Sequence, residues 1–148
     1  MKHADFGVFK SVVDKKGKVY CLVAPGCAMF SRTEIEELIA IAKTYQLPGL
    51  AWMKMENGKL ESNIAKYFSE TVQKQLITST KAKDGDLLLF AADNWEKAAN
   101  ALGYVRLHLG KKLNLARSEF NFLWVVDMLA FELNEETNGW QARHHIFT

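Results

Sequence analysis

The stretch Leu87-Leu-Leu-Phe-Ala-Ala92 is an unbroken apolar run, and it directly follows Asp84-Gly85-Asp86. Asp and Gly in succession favour a turn of the chain. A short apolar run bounded by a turn is typical of a strand that is buried on both faces. We therefore expect this run to form the central strand of a sheet, with the other elements packed around it.

Segments on both sides of this strand predict helices. Ser31-Arg-Thr-Glu34 has the spacing of a capping box, in which the Ser and Glu side chains each satisfy a free backbone N–H. The apolar residues that follow recur at helical spacing, at Ile35, Leu38, Ile39, Ala42 and Tyr45. Asp93 or Asn94 caps the longest predicted helix, with a stripe at Trp95, Ala98, Ala99, Leu102, Val105, Leu109 and Leu113. One or two short helices are expected between residues 63 and 80.

Strands are predicted for the remaining segments. Phe6 to Val13 and Lys18 to Val23 should pair as a hairpin across Asp14-Lys-Lys-Gly17, and Leu50 to Met55 should end at the Asn57-Gly58 turn. Helices packed on one face of a mainly antiparallel sheet give an α+β two-layer sandwich. This is the fold class that the sequence predicts.

The last part of the chain predicts a second pair of strands. Phe122 to Val126 is a continuous apolar run, typical of a strand buried on both faces. Asn134 to Gly139 supplies a turn that ends in Asn-Gly, so Trp140 should begin a return strand, which forms a C-terminal β-hairpin and carries Arg143, His144 and His145. We expect such a buried pair of strands to belong to a larger sheet.

Composition narrows the class of protein. The chain has 148 residues, 49% of them hydrophobic, which is enough for one domain with a core. Its net charge of +2 does not by itself indicate nucleic acid. No run approaches the length of a membrane span and no signal peptide is evident, so we expect a cytoplasmic location. Cys21 and Cys27 are expected to be reduced thiols there.

The common catalytic motifs are absent from the sequence: it has no phosphate-binding Gly-rich loop, no Gly-x-Ser-x-Gly and no His-Glu-x-x-His. The adjacent pair His144-His145 remains, and neighbouring strand residues point to opposite faces, so the two imidazoles are not expected to share a metal ion. Asp84-Gly85-Asp86 favours a turn over a calcium loop, because no Glu follows at the required spacing. The four tryptophans lie in apolar patterns, which favours core packing over base stacking.

Several segments resemble one enzyme family in their order along the chain. They are Pro25-Gly26, Ser31-Arg32, Gly49-Leu-Ala-Trp-Met-Lys54, Ile64-Ala-Lys-Tyr-Phe68, Asp84-Gly-Asp-Leu-Leu-Leu-Phe90, Arg106-Leu107, Leu123-Trp-Val-Val-Asp127 and His144-His145-Ile-Phe-Thr148. The chain is thereby similar to bacterial-type aspartyl-tRNA synthetases, specifically to their GAD insertion domain, which the B subunit of glutamyl-tRNA amidotransferase shares. Three departures from the family pattern occur: Gly26-Cys27 replaces Gly-Gly, Met128-Leu129-Ala130 replaces a Phe-Pro pair, and Ile146 replaces a Pro.

The resemblance implies a division of the chain. Residues 1–121 would form the insertion domain (GAD/DCoH-like), and residues 122–148 would be strands of the class II catalytic domain. It also implies that the parent protein, of which this chain would be a segment, is a ligase. That ligase would activate aspartate with ATP and magnesium and transfer it to tRNA(Asp). That parent would be a homodimer with no membrane or DNA partner. The isolated 148-residue chain would be inactive, without catalytic residues, cofactor or metal site of its own.

By the same resemblance, His144 and His145 would lie near the aspartate or its adenylate in the parent enzyme, with His144 as the inward-facing imidazole. Two other functions remain open from the sequence. The chain would otherwise be a stand-alone GAD-like module that binds tRNA or protein without catalysis. Alternatively, His144 and His145 would bind a metal with His3 or His108, although no ligand spacing supports this.

Overall fold

The computed structural model describes residues 6–134 and 136–144. Chain contacts divide the protein into two compact units, Met1–Ala116 and Arg117–Thr148. The first unit contains a four-stranded antiparallel sheet with the order β1-β4-β2-β3, formed by β1 (Lys18–Ala24), β2 (Ala51–Glu56), β3 (Lys59–Glu61) and β4 (Leu87–Asp93). The α+β class and the central position of residues 87–92 are therefore confirmed.

Four α-helices pack on this sheet: α1 (Gly7–Asp14), α2 (Arg32–Thr44), α3 (Glu70–Thr80) and α4 (Trp95–Lys112). Leu87, Leu89 and Ala91 of β4 contribute to a core with α2 and α4, whereas the alternate residues contribute to a second core with α1 and α3. The expectation that the helices share one face is wrong. Residues 87–92 of β4 are apolar on both faces, so the strand requires cover on both sides, which the helix pairs supply.

The predicted helix starts are confirmed. Ser31 Oγ accepts a hydrogen bond from Glu34 N–H at 3.3 Å, and Glu34 Oε2 accepts one from Ser31 N–H at 2.9 Å, so the capping box is complete. Asn94 Oδ1 accepts from Glu96 N–H at 2.8 Å and caps α4. Ser69 caps α3, and a short 3-10 turn precedes it, so the segment between residues 63 and 80 contains two helical pieces.

The first predicted strand is wrong, because Gly7–Asp14 forms helix α1. Phe6, Phe9 and Val12 recur every three residues and lie against the second core, with the Phe9 ring 6.0 Å from both Phe68 and Phe90. The β propensity of the valines is outweighed because an aromatic side chain fills this core from a helix. Lys18–Ala24 is a strand as expected, but it pairs with β4.

Turns between the strands follow the expected chemistry. Asn57 and Gly58 both have positive φ, 52° and 74°, which is the conformation of a two-residue hairpin turn. Asp86 is buried, and its carboxylate accepts hydrogen bonds from the N–H groups of Gly26 at 3.1 Å and Lys83 at 2.9 Å. Asp84-Gly85-Asp86 is thus a turn, and no cluster of three or more metal-ligating side chains occurs in the described residues.

The second unit contains one hairpin, β5 (Phe131–Asn134) and β6 (Gly139–Ala142), around the predicted turn. Phe122–Val126 is not a strand, and its side chains are exposed, with Trp124 at 93%. The expectation of a buried strand there is wrong for this chain, because no described strand pairs with these residues. Trp95, Trp124 and Trp140 are also exposed, so core packing holds only for the partly buried Trp52.

Candidate functional site

The hairpin β5–β6 directly precedes Arg143 and His144, the described residues of the segment that the sequence selects for function. Glu132 lies opposite Gln141 and Asn134 lies opposite Gly139, so the register places Glu132, Asn134 and Gln141 on one face. Phe131, Leu133 and Trp140 lie on the other face and are exposed. The hairpin is therefore polar on one side and apolar on the other.

The polar face is held by a chain of hydrogen bonds. Gln141 Nε2 donates to Glu132 Oε1 at 2.8 Å, and Asn134 Nδ2 donates to Gln141 Oε1 at 2.8 Å. Asn134 Oδ1 accepts from the N–H groups of Glu136 at 2.9 Å and Thr137 at 3.1 Å, which fixes the turn. Each side chain is oriented by its neighbour, so the face is ordered although it is exposed to water.

Arg143 closes this row at the end of β6. Its N–H donates to the Ala130 carbonyl at 2.9 Å, and its Nη1 lies 3.4 Å from Glu132 Oε2. An ion pair of this exposure stabilises a protein by about 0.2–1 kcal/mol. Its effect is mainly to orient the guanidinium, whose N–H groups can bind carboxylates or phosphates.

His144 follows Arg143, lies in a bend and is exposed. Strand β6 ends at Ala142, so His144 lies beyond the strand that was expected to carry it, and strand alternation does not determine its direction. His145 lies outside the described residues. His144 directly follows the ion-paired Arg143 in the chain.

Glu132 and Gln141 were not predicted from the sequence, although their hydrogen bond orders this face. A signal for them was present, because the Asn-Gly turn fixes the register, and the register sets Glu132 against Gln141. His144 and Arg143 supply an imidazole and a guanidinium in succession along the chain, and each group can donate hydrogen bonds to an anionic ligand. Carboxylate or phosphate binding is the chemistry that this end of the hairpin favours.

The first unit contains the two cysteines of the chain, Cys21 and Cys27. Burial raises the pKa of the Cys21 thiol to about 12, and burial also raises the pKa of Cys27, with a smaller contribution from Asp86. A thiol with a raised pKa is a poor nucleophile at neutral pH. Both cysteines are free, and they are structural residues of the first unit.

The surface between α2 and α4 carries a charged cluster. Lys112 Nζ lies 2.9 Å from Glu37 Oε2 and 3.4 Å from Glu34 Oε1. The hydrogen bond from Lys112 lowers the pKa of Glu37, and hydrogen bonds from Ser31 lower the pKa of Glu34. Lys112 of α4 thus joins the two helices through the carboxylates of α2.

Comparisons with known proteins cover the whole chain. The family model of the GAD domain matches residues 9–102. The aspartate–tRNA(Asp/Asn) ligase of Treponema denticola is 46% identical over 148 residues, covering 97% of this chain and 25% of the relative. The aspartate–tRNA ligase of Bacillus licheniformis is 46% identical over 150 residues, covering 100% of the chain and 25% of the relative.

A third relative, the aspartate–tRNA(Asp/Asn) ligase of Endomicrobium trichonymphae, is 43% identical over 149 residues and is covered to 26% of its length. The chain thus spans about a quarter of the curated relatives that it matches. None of the helices among the described residues has the length and apolar character needed to cross a membrane.

Proposed function

Because the chain belongs to the GAD domain family and its similarity to ligases extends past that domain, we propose that it is a segment of a bacterial-type aspartate–tRNA ligase. One observation carries this proposal. The GAD model ends at residue 102, but the similarity to the ligases covers 97–100% of the chain, including the hairpin. A stand-alone GAD module would have no reason to keep ligase sequence in its second unit.

The complete protein would activate aspartate with ATP and magnesium and transfer the aspartyl group to tRNA(Asp). In this proposal residues 1–121 form the insertion module, and residues 122–148 return to the catalytic sheet. We place the complete ligase in the cytoplasm, as a homodimer. This chain would supply no catalytic group, because activation of a carboxylate by ATP depends on cations positioned by the class II sequence motifs, which would lie elsewhere in the complete ligase.

We propose that the hairpin forms an edge of the aspartate pocket and that His144 donates a hydrogen bond to the bound carboxylate or to the adenylate. The exposure of His144, which directly follows the ion-paired Arg143 in the chain, supports this role. His145 is the second candidate. Arg143 would keep the adjacent backbone in place through its N–H bond to Ala130.

A stand-alone binding module is the second candidate function. The first unit favours it, because the family model lies entirely within Met1–Ala116 and that unit has its own two cores. Such a module would bind tRNA or a protein without catalysis. A ligase segment requires the second unit to join a catalytic domain, whereas a stand-alone module does not.

The test is a chimera. In the Bacillus licheniformis ligase, the matched segment is replaced by this chain, and aspartate-dependent exchange of pyrophosphate into ATP is measured. We expect exchange within about tenfold of the unmodified ligase, because 46% identity should preserve the joins to the catalytic domain. A second chimera that receives residues 9–102 alone controls for the GAD domain. A folded full-segment chimera without exchange, beside an active GAD-only chimera, would refute the ligase assignment of the second unit.

The histidines are compared in the active chimera. We expect His144→Ala to lower kcat/KM for exchange by about 10- to 100-fold, corresponding to about 1.5–3 kcal/mol for a hydrogen bond to a charged group. In the complete ligase, where added strand pairing would extend β6 through both histidines, only one imidazole would face the pocket, so His145→Ala should change kcat/KM by less than about threefold. Gln141→Ala serves as the control for loosening the hairpin. Equal and small losses for both histidines would remove them from the site.

A further inference from the structure

Strand β1 is an edge of the first unit's sheet. It pairs with β4, and no other strand of the described residues lies on its opposite side. In an antiparallel pair, alternate residues direct their N–H and C=O groups to opposite sides. One side of β1 therefore presents backbone donors and acceptors in a regular row.

The direction of these groups follows from β2. Met55 N–H donates to Asp86 O and Met55 O accepts from Gly85 N–H, so Met55 and, by alternation, Met53 face β4. Met53 pairs with Leu88, so Leu88 faces β2 and Leu89 faces β1. Because Leu89 pairs with Leu22, the outward-facing residues of β1 are Val19, Cys21 and Val23.

This edge has few of the features that usually protect exposed strands. Natural edges carry Lys or Pro along their length, or are shortened or covered. In β1 the lysine is at the start, Lys18, and the proline, Pro25, follows the end, so Val19 to Ala24 carry no charge. An edge of this kind can accept another strand.

A groove of about 550 Å³ lies beside the end of β1, between that strand and the C-terminal half of α4. Leu22 and Ala24 line it from the strand, and Leu107 and Leu115 line it from the other side, where they are 58% and 61% exposed. Arg106 and Lys111 are its charged lining residues, and no carboxylate lines it. The groove is therefore apolar and positively charged.

We propose that the edge of β1, with this groove, binds an extended acidic segment of a partner protein by strand addition. The backbone of the segment would pair with Val19, Cys21 and Val23. An apolar side chain would enter the groove, and flanking carboxylates two residues away would lie near Arg106 and Lys111, because alternate residues of a strand share a face.

Charge selects this occupant over a second copy of the chain. Two copies that paired through β1 about a two-fold axis would bring both α4 helices to one face of a joined sheet. Arg106 and Lys111 of the copies would then approach each other without an acidic residue in the groove to offset them. An acidic peptide removes this repulsion, and its carboxylates gain ion pairs.

The probe is the fluorescein-labelled, acetylated pentapeptide Glu-Val-Leu-Val-Glu, added to the complete 148-residue chain, with binding measured by fluorescence anisotropy. Its Glu, Leu and Glu would face the groove, and its valines favour a strand. We expect saturable binding that weakens with salt, since the ion pairs are exposed. The peptide Lys-Val-Leu-Val-Lys should bind about tenfold less tightly or not at all.

Two changes separate the charge from the backbone. Arg106→Glu with Lys111→Glu should lower the affinity for the acidic peptide by about tenfold and reverse the preference towards the basic one. The matched control, Lys74→Glu with Lys97→Glu, makes the same change in net charge away from the groove and should leave affinity within about twofold. The acidic peptide with N-methyl groups on its valines should lose binding, because it cannot donate to the edge.

Equal binding of the two peptides, or binding that N-methylation leaves unchanged, would overturn the proposal. So would the absence of binding by the unmodified chain at millimolar acidic peptide. A chain that dimerises in sedimentation velocity, with a dimer that the acidic peptide does not dissociate, would assign the edge to a second copy instead.

Discussion

Replacing Asp86 with Ala tests whether its carboxylate fixes the beginning of the central strand, β4, to the end of β1. The Asp86 carboxylate is the buried acidic group of the first unit, and its two oxygens accept from different parts of the chain. Oδ1 accepts from Gly26 N–H at 3.1 Å, at the end of β1, and Oδ2 accepts from Lys83 N–H at 2.9 Å, in the turn before β4. One side chain thus joins the β1 end to the β4 start.

The expected loss follows from these two bonds. A hydrogen bond to a charged acceptor contributes about 1.5–3 kcal/mol, and the smaller value applies here because Gly26 and Lys83 are exposed and their N–H groups can bind water. Two bonds reduced in this way give a loss of about 2–3 kcal/mol in the free energy of unfolding. For a domain of this size the melting temperature should fall by roughly 10 °C.

The measurement is thermal and urea unfolding of the variant and the original chain, followed by circular dichroism. Asp84→Ala is the matched control, because Asp84 Oδ1 accepts a single bond, from Gly58 N–H at 2.8 Å in an exposed turn. We expect that control to lose about 0.5–1 kcal/mol. Asp86→Asn should lie between them, since its amide keeps one acceptor. Equal losses for Asp86→Ala and Asp84→Ala would refute the assignment of the strand-joining role to Asp86.

Four further predictions concern stability and thiol chemistry. Gly17→Ala should lower the free energy of unfolding by about 1–3 kcal/mol, because a Cβ there would lie 2.6 Å from Val12 Cγ1 and 2.8 Å from the Asp93 carbonyl oxygen. Gly103→Ala lies in open space on α4 and should raise the free energy of unfolding by about 0.5–1 kcal/mol. Urea unfolding of both variants measures the difference. Iodoacetamide should modify Cys21 slowly at pH 8 and rapidly in urea, because its folded pKa is about 12. The raised pKa also means that the unfolding free energy should fall as pH rises from about 9 towards 12, where only the unfolded thiol ionises; a flat profile would contradict this. Residues 1–121 alone should unfold cooperatively, since both cores lie within the first unit, and a soluble truncated chain without a transition would show that the hairpin is required.

The main sheet and the longer helices could be predicted because local and tertiary preferences agree in them. Residues 87–92 are apolar on both faces, and they lie in the middle of the sheet with both faces covered. In α2, the capping box fixes the first turn, and Ile35, Leu38 and Ala42 are buried as their spacing indicates. In α4, Ala101 was missed and Trp95 and Ala99 are exposed, because a long stripe drifts around the helix and its edges are not determined by spacing alone.

The N-terminal segment could not be predicted, because its residues satisfy two patterns. Phe6, Phe9 and Val12 suit a helix, whereas the valines and phenylalanines as a group suit a strand. The deciding contact is between Phe9 and two rings that are distant in sequence, Phe68 and Phe90. Such a contact is a property of the folded core, and no window of sequence around Phe9 contains it.

The candidate site was predictable in its turn and its residue types, but not in its geometry. The Asn134–Gly139 turn gave the hairpin, and the register then paired Glu132 with Gln141. The strand ends at Ala142; beyond it the Arg143 N–H donates to the Ala130 carbonyl, and the chain bends at His144. The expected alternation of the two histidines required a longer strand than this chain forms.

Because β6 ends at Ala142, the protein in which His144→Ala is tested affects the result. Phe131, Leu133 and Trp140 form an apolar face that is exposed, as are the side chains of Phe122 and Trp124. Burying a large apolar side chain contributes about 1.5–3 kcal/mol, so a sheet that covered this face would stabilise the hairpin far more than its own hydrogen bonds do. If the complete ligase supplies that sheet, as we propose, the added pairing would also fix the backbone beyond Ala142 and thereby the direction of His144. The effect of His144→Ala should therefore be measured in the chimera. Binding of aspartate to the isolated chain would not replace that measurement, because the isolated chain lacks the added pairing.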